Sequence, residues 1–104
     1  MRFIDKSNRD LTLYELELTA KIHDIEMYAT EDNTENGVKV DYLDINRYIL
    51  SNDDKPTYSL LLNNVPVLDF CEFDKIITYI FNRFDYQTNF YLFNYDGSTN
   101  LKEL

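Results

Sequence analysis

The sequence predicts an α+β fold: a small antiparallel sheet of about four to six strands, with one main amphipathic helix over about residues 70–85 packed on one face. Three features carry that expectation. Phe73, Ile76, Ile77, Ile80, Phe81 and Phe84 recur at helical spacing, while Asp74, Lys75, Asn82 and Arg83 fall on the other side. Two turn signals, Asn36-Gly37 and Asn63-Asn64, each sit between strand-sized apolar runs. The chain has 104 residues, 44% of them hydrophobic, which suits one domain (residues 1–104) with one core and excludes wholesale disorder.

Taken in order, the first element lies in residues 11–29. From Glu15 to His23 polar and apolar residues alternate strictly, which predicts a half-buried strand. A helical stripe through Leu11, Tyr14, Leu18, Ile22 and Ile25 is the alternative, but it strands Leu13 and Leu16. The alternation changes phase near His23-Asp24, as a bulge or break would make it do. Residues 30–37 carry no large apolar side chain and end in Asn36-Gly37, so they read as an acidic turn between antiparallel strands. Val38–Tyr42 resumes as strand, continuing towards Leu50 unless Asp41 caps a short helix.

Residues 51–56 read as a loop. Tyr58–Leu62 and Val65–Leu68 form a second hairpin around Asn63-Asn64, and Pro66, lacking an amide donor, puts its strand at a sheet edge. Asp69 followed by Glu72 resembles a capping box for the helix, whose Phe and Ile side chains contribute roughly 1.5–3 kcal/mol each on burial. Asn89–Tyr95 is apolar on both faces, hence a central strand; Asp96-Gly97 then turns the chain into Thr99–Leu104.

The net charge of −9 disfavours DNA, RNA and anionic membrane as direct partners, since phosphate binding is driven by Lys and Arg. Residues 10–54 hold twelve acids against three bases, and so the whole net charge. No apolar run reaches the roughly 18 residues needed to cross a membrane, and the N-terminal residues lack a signal-peptide core. Cys71 is the single cysteine, which fits a reducing compartment. Frequent Asn, Ile and Tyr, whose codons are AT-rich, fit a low-GC bacterium or its phages, and with it a cytoplasmic location in a bacterial cell.

Catalytic motifs find no support. His23 is the lone histidine, no Gly-x-Ser-x-Gly elbow is present, and two glycines cannot build a phosphate loop. His23, Asp24 and Glu26 make a weak metal-ligand trio, outweighed by a solvent-side strand reading for His23. Cys71 sits where a helix dipole would lower its pKa, but its neighbours Phe70 and Phe73 favour a small buried hydrophobe. Asn94-x-Asp96-x-Ser98-x-Asn100 lacks the Gly and Glu of a calcium loop. Asp41 and Asp44 read as solvated carboxylates and not as an acid–base pair. The order Lys55-Pro56-Thr57, strand, turn, strand, helix resembles the C-terminal half of the thioredoxin fold over residues 55–84, though without Cys-x-x-Cys no redox chemistry is implied. No metal and no cofactor is expected, nor catalysis.

What remains is a binding surface. Carboxylates interleaved with tyrosines meet arginines by ion pairing and by cation–π contact. The candidate partner-binding residues are Glu15, Glu17, Glu31, Asp32, Glu35, Asp41, Tyr42, Asp44, Tyr48, Asp53 and Asp54. The expected partner is a larger basic protein, a nuclease or other nucleic-acid-binding effector, whose groove these carboxylates occupy in place of phosphates. In size, charge and lack of motifs the chain resembles small anti-CRISPR and anti-restriction proteins of phages. An immunity protein or antitoxin against a toxin nuclease, and a Tyr-rich assembly subunit with a homodimer left open, are the alternatives.

Overall fold

The computed structural model describes residues 1–33, 37–49 and 55–95, with the side chains of residues 32, 33 and 38 left aside. The elements run β1 (Arg2–Ile4), β2 (Asp10–Leu11), α1 (Leu13–Ile22), β3 (Ile25–Asn33), β4 (Gly37–Tyr48), β5 (Thr57–Leu62), β6 (Val65–Cys71), α2 (Phe73–Arg83) and β7 (Asn89–Leu92). The α+β class is as expected, but the sheet is larger: seven strands in the order β2-β1-β7-β3-β4-β5-β6, with two helices. It is also mixed, because β1 and β7 pair in parallel, Phe3 beside Phe90, while every other neighbour is antiparallel.

The expectation of a strand over Glu15–His23 is overturned by α1. Its start is fixed by a capping box: Thr12 Oγ1 accepts from Glu15 N at 3.1 Å, and Glu15 Oε1 accepts from Thr12 N at 3.1 Å. Leu16, Thr19 and Ala20 are buried, spaced i, i+3, i+4. The helix therefore meets the sheet along a narrow seam of one leucine and two smaller residues, a stripe too thin to dominate the alternation around it. The alternative stripe has the wrong phase too, since Tyr14 is 71% exposed. His23 is the C-cap and not a strand residue: its N–H donates to Thr19 O at 3.2 Å, and its ring lies 5.2 Å from that of Tyr95.

Strands β3 to β6 form a meander. Ile25–Asn33 pairs with Gly37–Ile45, with Gly37 at φ 86, so the expected antiparallel pairing around Asn36-Gly37 holds. No helix interrupts β4. The second hairpin also forms, with Asn63 and Asn64 at φ 51 and 67, the two left-handed residues of a type I′ turn. Pro66 lies on β6, an edge strand. From there α2 carries the chain back across the sheet to β7, which is central, between β1 and β3.

Helix α2 spans Phe73–Arg83, shorter than expected, and the proposed Asp69–Glu72 capping box is absent: Glu72 is itself the N-cap and makes no side-chain cap bond. Phe73, Ile76, Ile80 and Phe84 are buried at 0–4% exposure, but Phe81, on the expected apolar stripe, is 48% exposed, and Phe93, expected from sequence to fit the core, is 41% exposed; neither belongs to the core. Core side chains from both helices, including Leu16, Ala20, Ile76 and Ile80, meet Ile25, Met27, Leu43, Ile45, Leu60 and Phe90. Those strand residues share one alternation phase across β3, β4, β5 and β7. Both helices thus cover one face of the sheet, and among the described residues no helix covers the other. The residues for Asp96-Gly97 and Thr99–Leu104, and residues 51–54 of the expected loop, lie outside those described.

Candidate functional site

Strand alternation decides which side chains reach the uncovered face. On β4 they are Val40, Tyr42, Asp44, Asn46 and Tyr48; opposite them β3 places Thr30, Tyr28 and Glu26. Strand β7 adds Tyr91 beside Tyr28, and Phe93 follows by pairing its N–H with Glu26 O at 3.0 Å. Two rows result. The first is aromatic: Tyr91, Tyr28 and Tyr42 are successive register partners, and the Tyr28 ring stacks on Tyr91 at 5.2 Å and on Phe93 at 6.3 Å. The second is acidic: Glu26 stands directly opposite Asp44, with Leu61 beyond it.

Directly opposed like charges weaken a sheet. Neither Glu26 nor Asp44 makes an ion pair among the described residues, whose salt bridges join Arg2 to Asp10, Arg9 to Asp5 and to Glu15, and Lys55 to Glu72. Asp44 is held above the usual carboxylate range, first by burial and then by the charge of Asp24. Asp24 is itself fixed in place, accepting the Arg47 amide through Oδ1 at 2.9 Å.

A second aromatic group closes the face at its far end. Tyr48 and Phe70 pack ring to ring at 5.1 Å, although Phe70 is 63% exposed. Phe70 lies in the left-handed region at φ 50, where a bulky L-residue is strained. It occurs where the β5–β6 register shifts between Tyr58 and Leu60, the geometry of a β-bulge. A strained backbone here presents an apolar ring to solvent beside Tyr48.

Of the residues singled out from sequence, Tyr42, Asp44 and Tyr48 come together on this face. Glu15, Glu17, Glu31 and Asp41 do not join them. Glu15 serves the α1 capping box and pairs with Arg9 at 3.6 Å. Glu17 lines a cleft of about 390 Å³ on the helix side, with Lys21, Lys55 and Tyr58. Glu31 has the helix-side phase and accepts from Thr88 Oγ1 at 3.5 Å. Asp41 is 6% exposed and accepts from Asn63 Nδ2 at 3.0 Å; with Tyr42 N donating to Asn63 Oδ1 at 2.8 Å, it ties the hairpin turn to β4. Glu35, Asp53, Asp54 and the Asp32 side chain lie outside the described residues. Sequence reasoning missed Glu26, Tyr28, Tyr91, Phe93 and Phe70 as one surface. The available signal was the alternation Ile25-Glu26-Met27-Tyr28-Ala29-Thr30, which sends Glu26 and Tyr28 to the side opposite the core.

Other chemistry finds little footing among the described residues. No group of three or more His, Cys, Asp or Glu side chains is placed to hold a metal ion. Cys71 closes β6, half-buried, donating to Tyr58 O at 3.4 Å; burial raises its pKa, the opposite of an activated helix-start thiol. Among the described residues no helix is long and apolar enough to cross a membrane. Comparison with known protein families, with curated proteins and with solved structures finds no match to this chain.

Proposed function

We propose that this chain is a non-enzymatic acidic inhibitor protein that binds a larger basic, nucleic-acid-handling enzyme, in the manner of phage-type anti-CRISPR or anti-restriction decoys, inside a bacterial cell. The observation that supports it most is the sheet face that neither described helix covers. It presents carboxylates without cationic partners among the described residues, on a chain of net charge −9, framed by tyrosines and phenylalanines. Carboxylates on a rigid strand scaffold replace phosphates opposite Arg and Lys, and tyrosine is enriched at protein interfaces because its ring is apolar and its hydroxyl polar. Rigid β-strands keep such a surface pre-organised, which lowers the entropy lost on binding.

The test is affinity capture from extracts of the native host, with the captured protein then purified and assayed for nucleic-acid binding. The reading expects a basic partner whose DNA or RNA is displaced stoichiometrically as this protein is added. A partner that handles no nucleic acid, or one that holds nucleic acid and this protein together at undiminished affinity, refutes it.

A further inference from the structure

We infer that the helix-free face is an arginine-selective docking site, and that its occupant is an arginine-bearing segment of the partner, seated over Glu26 and Asp44 and stacked on the rings of Tyr28 and Tyr42. The inference rests on the inhibitor reading and names the chemistry that the face recognises.

Glu26 and Asp44 are register partners on neighbouring strands, so about 4.5–5.5 Å separates their Cβ atoms. Both point away from the core, and Asp24 adds a third negative charge close enough to perturb Asp44. Among the described strand residues, only Arg2 carries a cation with the phase of this face, and it lies at the far side of β7, engaged with Asp10 at 2.8 Å. Lys6, in the turn after β1, borders the face at Tyr28 and Tyr91 and makes no salt bridge to Glu26 or Asp44. A cation supplied from outside would relieve the repulsion. A second copy of this chain would bring more carboxylates to the same place, so charge argues against self-association here.

The choice of arginine over lysine follows from the aromatic frame. Tyr42, 55% exposed, stands two residues from Asp44 on β4, and Tyr28 stands two residues from Glu26 on β3. The carboxylate pair and the two rings therefore form a square of four side chains on adjacent strands. A planar guanidinium takes up both kinds of contact at once, forking onto carboxylate oxygens while its face lies on a ring; an ammonium has only a point charge to offer. The strained, exposed Phe70 beside Tyr48 extends the frame in the other direction along β4, giving apolar footing to side chains that flank the arginine.

The experiment titrates the full chain with blocked hexa-arginine and hexa-lysine peptides by calorimetry at low salt. It compares wild type with Glu26→Gln/Asp44→Asn, with Tyr42→Ala, and with a helix-side control, Glu72→Gln/Asp74→Asn, that removes the same number of charges. The expected result is saturable hexa-arginine binding, about tenfold or more tighter than hexa-lysine. The acidic double variant should lose about tenfold or more, the control less than about twofold, and Tyr42→Ala should erase the arginine preference. Amide resonances of residues 26, 28, 42 and 44 should move on titration. Equal affinity for the two peptides, equal losses in the two double variants, or shifts confined to the helix side overturns the inference. So does a wild-type dimer in sedimentation that the acidic double variant tightens, since the face would then serve a second copy. Should peptides bind as expected while no nucleic-acid enzyme is inhibited, the inhibitor reading fails and the site stands. Inhibition untouched by the face variants has the opposite consequence.

Discussion

Truncating Ile80 and Phe81 to alanine in separate variants distinguishes the observed packing of α2 from the one that periodicity suggests. Both residues fit the apolar stripe, yet Ile80 is 0% exposed and Phe81 is 48% exposed. Ile80→Ala removes three carbons from the centre of the core, about 2.4 kcal/mol at roughly 0.8 kcal/mol per buried methylene. The space left beneath α2 adds a cavity term, bringing the expected loss to about 3–4 kcal/mol. For a domain of this size each kcal/mol lowers the thermal midpoint by about 4–8 °C, so Ile80→Ala should melt more than about 10 °C early. Phe81→Ala gives up a half-exposed ring beside Leu13 and Tyr86 and should cost about 1 kcal/mol or less. Urea unfolding followed by far-UV circular dichroism, with the slope held common, measures both. Equal losses for the two variants, or a larger one for Phe81→Ala, would show that α2 is rotated about its axis, with Phe81 and not Ile80 turned into the core.

Further outcomes follow from individual side chains. Asp44→Asn should raise stability at neutral pH by about 0.2–1 kcal/mol, because it removes a partly buried charge and its repulsion from Asp24 and from its register partner Glu26. Since burial, and after it the charge of Asp24, raises the folded-state pKa of Asp44, its ionisation costs stability as pH climbs through that value; the gain should vanish as pH falls below about 4, and a gain that persists there rules out the Asp44 charge as its cause. Phe70→Asn should recover about 1 kcal/mol of left-handed strain, read as a higher thermal midpoint, whereas a drop of several degrees would mean that the Tyr48 contact outweighs it. Cys71 should react with a thiol reagent near pH 8 more slowly in the native protein than in urea, as burial raises its pKa; a faster native reaction contradicts this. No gel shift is expected with single- or double-stranded DNA or RNA at low salt, and a robust, salt-sensitive shift would overturn the charge argument.

How much of the fold could be read from the residues depended on whether the deciding interaction was local. The Asn63-Asn64 hairpin, the antiparallel pairing of β3 with β4 and the central position of β7 were legible, because turn chemistry and a two-sided apolar run are written in neighbouring residues. Helix α1 was not legible, although Thr12 and Glu15 spell a capping box: a seam made of Leu16, Thr19 and Ala20 carries little hydrophobic contrast, and Glu15, Glu17, Thr19 and Lys21 imitate a strand. Strands β1 and β2, three and two residues long, have no periodicity to read. The parallel partner of β1 lies at the other end of the chain, so only tertiary pairing makes it a strand.

The site was half legible for a related reason. Counting charge along the chain points to residues 10–54, but a segment is not a surface. With side chains alternating every residue along β3 and β4, the acids divide between the faces: Glu31 and Asp41 turn to the helix side and bond to Thr88 and Asn63, while Glu26 and Asp44 turn outward. Register then does what composition cannot. It sets Glu26 against Asp44 and Tyr28 against both Tyr42 and Tyr91, joining residues from distant parts of the chain into one face. Each member alone is ordinary, since solvated carboxylates and half-exposed tyrosines are common. Their conjunction is costly to the fold on two counts, opposed charges at Glu26–Asp44 and a left-handed phenylalanine at Phe70. Both penalties lie on the face that no described helix covers: the opposed carboxylates meet no cation among the described residues, and the left-handed Phe70 is offset there by its ring contact with Tyr48.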